Sequence, residues 1–479
     1  MRRNDKMMNN RNGSDGADRV SQLGTAPVGR LLLKLAAPAV VAQLVNLLYN
    51  IVDRVYIGHM PEVGRVALTG VGLCFPVVTL ITAFTMLIAQ GGAPRAAIAM
   101  GKGDFDRAEE MLGNCFTCLL TAAVLLTAAF WIWGERLLWI FGCSADTIVY
   151  ALPYMRIYAG GSAFVMIALG MNLFISTQGF TQFSMRSVLI GAVSNIILDP
   201  IFIYLLDMGV QGAALATVIS QAISGIWVLR FLVGKRTRLR LKPRYMRPQA
   251  ALMLPVLALG LAPFVMQSTE ALLNIAFNSS LQRYGGDVAV GAMTVASTIS
   301  QIVWLPTQGL GQGAQPIISY NYGANNPRRV RQAFWALLRV SMIVMLSFWA
   351  LVQLFPQGFI RIFNSGPELM ETAVWTLRLY TAVLGMFGIQ MAVQQTFMAI
   401  GKAKASLFIA CLRKVILLIP LIFILPHFFE DKVFAVFLAE PVSDFISIAA
   451  SAITFCLVFR PEMAKLEREN AIINGEGEP

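Results

Sequence analysis

The chain has 479 residues, of which 57% are hydrophobic and only 13% are charged. Soluble domains carry about 25% charged residues, so this composition excludes a soluble globular protein. The formal net charge is +12, and one connector holds seven of the basic residues. They are Lys235, Arg236, Arg238, Arg240, Lys242, Arg244 and Arg247. This concentration is typical of a cytoplasmic loop. No nucleic-acid partner is expected, because no soluble domain is present to carry a binding groove.

The apolar residues come in blocks of about 20, the length at which an α-helix crosses the bilayer core. Helices satisfy their own backbone hydrogen bonds, which makes them the natural element for such blocks. The sequence therefore predicts an all-α integral membrane protein with twelve transmembrane helices. In chain order the predicted spans are 36–58, 66–90, 111–133, 148–172, 187–206, 212–233, 251–281, 287–312, 332–353, 370–396, 406–426 and 433–459.

The connectors between these spans are alternately rich and poor in basic residues. This bias predicts a multi-pass protein of the inner (cytoplasmic) membrane with both termini in the cytoplasm. Residues 1–28 are polar and lack the apolar core of a signal peptide, so we expect a disordered cytoplasmic tail there. Residues 461–479 are expected to form a C-terminal cytoplasmic tail.

The second half of the sequence repeats the first. Residues 90–94 (QGGAP) match residues 312–316 (QGAQP) at an offset of 222, and Arg107 matches Arg329 at the same offset. Each half holds six predicted spans, an even number, so the halves enter the membrane in one orientation as parallel repeats. We expect two pseudo-symmetric six-helix lobes around a central cleft. The N-lobe covers 29–234, a basic cytoplasmic linker covers 235–250, and the C-lobe covers 251–460.

Polar residues form a stripe along the first predicted span and another along the seventh. The first stripe is Gln43, Asn46, Asn50 and Asp53, and the second is Gln267, Glu270 and Asn274. At ~100° per residue, steps of three and four residues keep each set on one helix face. Polar side chains in hydrocarbon face the bundle interior or a cavity, so we expect the stripes to line the substrate cleft. The alternative for the amides is hydrogen bonding between helices.

Asp53 is the residue of the first stripe for which a functional role is most strongly indicated. A carboxylate near mid-bilayer costs ~2.5–3.5 kcal/mol or more, so it requires a partner, a proton or a cation. The fifth predicted span adds Asn195 and Asp199, one turn apart, followed by Pro200, which bends the helix. Thr217 in the sixth span adds a hydroxyl. These oxygens predict a site for Na⁺ or a shared proton, with no structural metal and no cofactor. The alternative is that Asp199 only ends its span at the interface.

In their order and spacing these residues resemble the multidrug and toxic compound extrusion (MATE) family, and within it the bacterial branch related to MepA and DinF. The resemblance covers residues 31–459, nearly the whole chain. The matching stretches include residues 50–53 (NIVD), 101–104 (GKGD), 195–200 (NIILDP), 209–217 (GVQGAALAT) and 313–323 (GAQPIISYNYG). Each stretch alone is a weak pattern, but their order across twelve spans is specific.

The resemblance implies a cleft that opens alternately to each side and exports drugs in exchange for H⁺ or Na⁺. It also implies small-molecule substrates, contact with membrane lipid and a monomer. The residues Asp53, Asn195, Asp199 and Thr217 match the family's N-lobe cation site. The tenth predicted span holds Gln390, Gln394 and Gln395 but no internal acid, so a second cation site between the seventh and tenth spans is not expected. Glu270 is then expected to contact substrate or to carry a secondary proton.

Two other functions stay open. A lipid-linked precursor flippase of the same two-lobe architecture would need several cations inside its cleft, and the in-span cations are few. They are Arg54, Arg378, Arg413 and Lys414. A membrane-embedded enzyme would need a catalytic constellation. The chain has only two histidines and no metal motif, so we do not expect an enzyme.

Overall fold

A computed structural model describes residues 16–61, 63–361 and 367–473. Within these ranges the chain is almost entirely helical and contains no β-strand. The helices of the first half are α1 (16–25), α2 (Val28–Gly58), α3 (Gly64–Leu73), α4 (Phe75–Gly101), α5 (Phe105–Ile140), α6 (Ala145–Gly160), α7 (Ser162–Thr177), α8 (Thr181–Pro200) and α9 (Gly209–Val233). Those of the second half are α10 (Ala250–Gly323), α11 (Pro327–Leu354), α12 (Pro356–Ile360), α13 (Pro367–Tyr380), α14 (Phe387–Ala399), α15 (Ala403–Cys411), α16 (Ile419–Ile424) and α17 (Lys432–Ile473).

The described helices account for the twelve predicted spans. Ten helical segments are long and apolar enough to cross a membrane, and some of them join consecutive helices, such as α3 with α4 and α13 with α14. The pair α6 and α7, bent by 53°, makes an eleventh span. As one straight helix, the 74 residues of α10 would extend ~110 Å, far beyond a bilayer. Gly286 breaks α10 with a φ of 61°, which only glycine adopts without strain, and so separates the seventh span from the eighth. The predicted all-α fold with two lobes is confirmed.

The two lobes meet backbone to backbone at the end that carries the basic connectors. A Cβ atom on Gly101, at the end of α4, would lie 2.0 Å from the carbonyl oxygen of Tyr320 in α10. A Cβ atom on Gly323, at the end of α10, would lie 2.0 Å from the carbonyl oxygen of Ile98. Gly101 and Gly323 are repeat partners at the 222-residue offset. The internal repeat therefore builds a symmetric crossing that admits no side chain.

The N-terminal helix α1 lies across this junction. Val20 is buried among hydrophobic residues of the N-lobe, whereas Leu23 is buried in a cluster that includes α2 and C-lobe residues. Arg329 donates hydrogen bonds to the carbonyl oxygens of Leu23 (3.1 Å) and Ala26 (2.7 Å). The predicted disorder of residues 1–28 is wrong for 16–25, because these apolar contacts and the arginine order the segment. Residues 1–15 lie outside the described part of the chain.

The basic connector between the lobes is held against the N-lobe. The Gln178 side-chain oxygen accepts hydrogen bonds from the Thr237 hydroxyl (2.8 Å) and from the backbone amide of Leu239 (2.8 Å). Lys242 forms an ion pair with the buried Glu109. In the second half of the chain, α17 runs from Lys432 to Ile473, so the predicted C-terminal tail begins as helix. Residues 474–479 lie outside the described ranges.

Replacing Gly101 with alanine tests the crossing of α4 and α10. A Cβ atom at 2.0 Å from a backbone oxygen must push the helices apart, and overpacking of this kind costs about 1–3 kcal/mol. We expect a lower thermal unfolding midpoint in detergent. Gly72→Ala is the matched control, because its Cβ would meet nothing within 4 Å. Equal unfolding midpoints for the two variants would contradict the close crossing.

Candidate functional site

The fifth and sixth spans supply three of the four predicted cation-site residues. Asn195 and Asp199 stand one turn apart on α8, and the Asn195 side-chain amide donates to an Asp199 carboxylate oxygen at 3.0 Å. The same amide lies 3.5 Å from the Thr217 hydroxyl oxygen on α9. Asn195 is 2% exposed and Asp199 is 0% exposed. Asp199 does not end its helical span, which continues to Leu205, and its carboxylate is fully buried.

Asp53 reaches this group from α2, which packs along α8. Its carboxylate is close enough to Asp199 for the two charges to interact. Oδ1 of Asp53, Oδ2 of Asp199 and Oδ1 of Asn195 are all buried and accept no hydrogen bond from the described residues. An ionised or amide oxygen left unpartnered in a low dielectric is costly. The group therefore has unused acceptor capacity that a proton or a small cation can fill.

The local backbone explains how α8 positions the pair. The α-helix ends at Pro200, directly after Asp199, and continues as a π-helical turn over Ile201–Leu205. Proline has no amide to donate back to the preceding turn, so the ladder must loosen there. Wider π turns of this kind are frequent at functional sites.

Sequence reasoning missed the aromatic wall around Asp53. Tyr154 and Tyr158 of α6 are buried and stack with ring centroids 6.2 Å apart. Both rings are within electrostatic range of the Asp53 carboxylate, as is Tyr49 of α2. The signal available in the sequence was the i, i+4 spacing of Tyr154 and Tyr158 in an apolar span, but this spacing is equally typical of core packing.

Two of the predicted stripe residues bond to their own helices. The Asn50 side-chain amide donates to the carbonyl oxygen of Asn46 at 2.6 Å, and that of Asn274 donates to the carbonyl oxygen of Glu270 at 3.0 Å. Such bonds satisfy the amide hydrogens locally and leave the side-chain oxygens available. The other three stripe amides, Gln43, Asn46 and Gln267, are half-buried.

An open pocket lies within the C-lobe. Glu270 and Asn274 line it, and aromatic rings form much of its wall: Phe277, Trp304, Tyr380 and Phe387. Five ionisable side chains other than Tyr380 also face it: Glu270, Arg413, Lys414, Glu440 and Asp444.

The charges of this pocket are linked to one another. Arg413 donates to Asp444 at 2.6 Å and to Glu440 at 2.9 Å, and its guanidinium group lies 4.7 Å from the centre of the Phe387 ring. Lys414 forms an ion pair with Glu270 and donates to the carbonyl oxygen of Met266 at 2.8 Å. Glu270, predicted to contact substrate, is thus half-exposed in the pocket and paired with a buried lysine.

The sequence reading overlooked Glu440 and Asp444. They stand one turn apart in the twelfth predicted span, the same spacing as Asn195 and Asp199 in the fifth. Arg413 and Lys414 are neighbours in a π-helical segment, Leu412–Leu418. A π-helix rotates less about its axis per residue than an α-helix does, so adjacent side chains lie nearer to one face. The signal that could have found the cluster was two acids at i, i+4 inside an apolar block.

The family comparison matches both halves of the chain. The family model described as MatE aligns with residues 38–201 and again with residues 263–424. The chain belongs to the MatE family. The double match confirms the internal repeat, and it places α8 with Asn195 and Asp199 at the end of the first MatE region.

Curated relatives of this MatE chain include the Multidrug export protein MepA of Staphylococcus haemolyticus, which is 22% identical over 88% of this chain and 92% of that protein. MepA of Staphylococcus aureus is 22% identical over 90% of this chain and 94% of its own length. Among solved structures, MATE in the bent conformation superposes with a TM-score of 0.86 at 22% identity, covering 95% of this chain and 99% of that one. A MOP superfamily transporter from Pyrococcus furiosus, whose binding pocket is described as having reverse polarity, gives a TM-score of 0.85 at 22% identity over 93% of this chain and 98% of that one.

Removing Arg413 tests the C-lobe network. Arg413→Gln leaves two buried acids without their cation, and breaking a buried pair from one side costs about 3–5 kcal/mol. We expect a clearly lower unfolding midpoint in detergent, partly restored by adding Asp444→Asn. Arg339→Gln, at an exposed position of α11, is the control and should stay near wild type. A wild-type midpoint for Arg413→Gln would refute the network.

Proposed function

We propose that this MatE protein is a secondary active exporter of amphipathic, often cationic small molecules. Its coupling ion is H⁺ or Na⁺, bound by Asp53, Asn195, Asp199 and Thr217 in the N-lobe. The observation that carries the proposal is the set of buried, unpartnered oxygens on Asp53, Asn195 and Asp199 within a membrane-spanning bundle. The relatives named Multidrug export protein MepA support export of drug-like compounds as the function.

The proposed mechanism is exchange by alternating access. A proton or Na⁺ that enters the N-lobe group neutralises Asp53 and Asp199, which removes the repulsion between two buried carboxylates. α2 can then repack against α8, and the change favours release of the exported compound to the outside. Ion and substrate must prefer different conformations, because a ligand with equal affinity for both states shifts nothing. The close crossing at the basic end must open once in each cycle.

The charge of the C-lobe pocket argues against a flippase of pyrophosphate-linked lipids. Its two cations, Arg413 and Lys414, are each engaged by acids, and the named acids outnumber the cations by three to two. A pyrophosphate carries several negative charges and would meet a pocket with a net negative charge. Cationic and amphipathic compounds suit the pocket better, since its aromatic walls also attract positive charge.

The proposal includes the placement of the protein. We place it in the inner membrane with both termini on the cytoplasmic side, because the basic connectors and α1 gather at one end of the bundle. Both lobes are parts of one chain, so a monomer contains a whole transport path.

Efflux from proteoliposomes tests the coupling site. A lipophilic cationic dye is loaded, and pH and Na⁺ gradients are imposed separately on wild type, Asp53→Asn and Asp199→Asn. We expect one gradient to drive efflux in wild type and both variants to lose most of it, because the amide cannot hold the exchanged ion. The effective gradient identifies the ion. Asp146→Asn, an exposed acid in the first turn of α6, is the control. Undiminished efflux by Asp53→Asn would rule out the proposed site.

Thr217 gives a finer test of the coordinating oxygens. Thr217→Val removes the hydroxyl and keeps the shape, whereas Thr217→Ser keeps the hydroxyl. If Na⁺ is the coupling ion, we expect Thr217→Val to raise the Na⁺ concentration at half-maximal efflux, with Thr217→Ser close to wild type. If H⁺ is the coupling ion, both variants should transport normally, because the carboxylates carry the proton. A defect shared equally by both variants would exclude a role of the hydroxyl.

A further inference from the structure

The C-lobe pocket contains one more acid than base. Glu270, Glu440 and Asp444 face it with Arg413 and Lys414, so its fully ionised form has a net charge of −1. From the geometry of this cluster we propose that Glu440 holds a proton in the empty pocket and releases it when a cationic ligand binds there. The C-lobe then carries a proton site of its own, exchanged against the ligand and separate from the N-lobe group.

The two oxygens of the Glu440 carboxylate differ in their surroundings. One accepts a hydrogen bond from Arg413 at 2.9 Å. The other, Oε2, is buried and has no hydrogen-bond partner among the described residues. The whole residue is 7% exposed. An ionised oxygen without a partner costs more in such a place than a neutral hydroxyl. Since Oε2 is inaccessible to water, a proton is the cation that fits there without any rearrangement.

None of the charged groups that face Glu440 is free to neutralise it alone. Arg413, from the π-helical segment, divides its guanidinium between Glu440 and Asp444, which stands on the same helix as Glu440. Lys414 is engaged by Glu270 of α10 and by a backbone carbonyl oxygen. The remaining titratable neighbour is Tyr380 of α13, which adds no positive charge.

The pocket beside Glu440 has the walls of a ligand site. The Trp304 and Phe387 ring centroids lie 5.0 Å apart, and those of Phe277 and Tyr380 lie 6.2 Å apart. These rings pack against each other, and the aromatic faces that line the pocket attract an apolar cation by dispersion and by cation–π attraction. The charge of such a ligand replaces the charge of the proton: one positive charge enters the pocket, and the proton leaves Oε2 for the solvent.

The exchange has a thermodynamic consequence. Proton and ligand weaken each other's binding by the same factor, because coupling between two sites is reciprocal. The affinity for a permanently charged cation should therefore rise with pH in wild type and lose that dependence when residue 440 cannot ionise. The inference rests on the proposed function only in taking the pocket's ligands to be cationic.

Calorimetry of tetraphenylphosphonium binding to the purified full chain tests the exchange. The probe has no titratable group, so heats measured in two buffers of different ionisation enthalpy report protons that leave the protein. We expect release of about one proton per probe bound in wild type, as one exchanged charge requires, and its loss in Glu440→Gln. Glu430→Gln, an exposed acid of the same lobe, is the control and should release as wild type does. Equal release by Glu440→Gln and wild type would overturn the proposal, and so would failure of folded wild type to bind the probe.

Two further readouts separate the outcomes. Infrared spectroscopy at neutral pH should show one carboxylic-acid C=O component in wild type that the Glu440→Gln spectrum lacks, so the difference spectrum of the two proteins contains it even when Asp53 or Asp199 also holds a proton. Identical carboxylic-acid bands in the two proteins would overturn the protonated state of Glu440 whether or not the probe binds. Asp53→Asn should keep the probe-linked proton release even though it abolishes transport. If Asp53→Asn instead transports normally while Glu440→Gln loses the release, the proposed coupling site fails and the C-lobe exchange stands.

Discussion

Placing ionisable groups inside a bilayer is the constraint on which this structure depends. Each buried carboxylate must find a cation, a hydrogen-bond donor or a proton, because the hydrocarbon offers no water to solvate it. The two lobes meet this demand in different ways. In the N-lobe, the Asp53 and Asp199 carboxylates repel each other, and the Asn195 amide donates a hydrogen bond to Asp199. In the C-lobe, Arg413 and Lys414 compensate most of the charge of three acids.

This difference has a functional meaning. A carboxylate pair with buried oxygens that accept no hydrogen bond from the described residues can take up positive charge from solution, and this suits the proposed binding of an ion there. A lobe that contains its own cations can keep its acids in place while a ligand comes and goes. The unpartnered oxygen of Glu440 leaves one charge uncompensated, and this is the basis of the charge exchange proposed for the C-lobe.

The two lobes are held together because α4 and α10 cross closely at the end of the bundle that carries the basic connectors. Gly101 and Gly323 let two pseudo-symmetric helices touch through their backbones, and α1 covers the junction through Val20, Leu23 and the Arg329 hydrogen bonds. A rigid, side-chain-free crossing can open and close as a unit. Packed helices of this kind switch between discrete arrangements and do not deform continuously.

The number of spans, the internal repeat and the polar face of α8 could all be predicted from the amino-acid sequence. Hydrocarbon thickness dictates the span length, and an α-helical turn dictates that Asn195 and Asp199 share a face. The sequence also marked Asp53 as a residue in need of a partner. The ordered helix at 16–25 was not predicted. The segment is mostly polar, and the residues that contact its two apolar side chains, Val20 and Leu23, lie far away in the chain.

The pairing of the buried ionisable side chains with one another follows from the packing of the helices and could not be predicted from the sequence. Glu440 is far from Glu270 and Lys414 in sequence, and its neighbours follow from how α17 packs against α10 and the π-helical segment. The same holds for Tyr154 and Tyr158 beside Asp53. The periodicity of polar residues assigns a residue to one face of its own helix. It does not predict how that helix is rotated about its axis relative to the neighbouring helices. Close packing of the whole bundle sets that rotation, and with it the pairing of every buried charge.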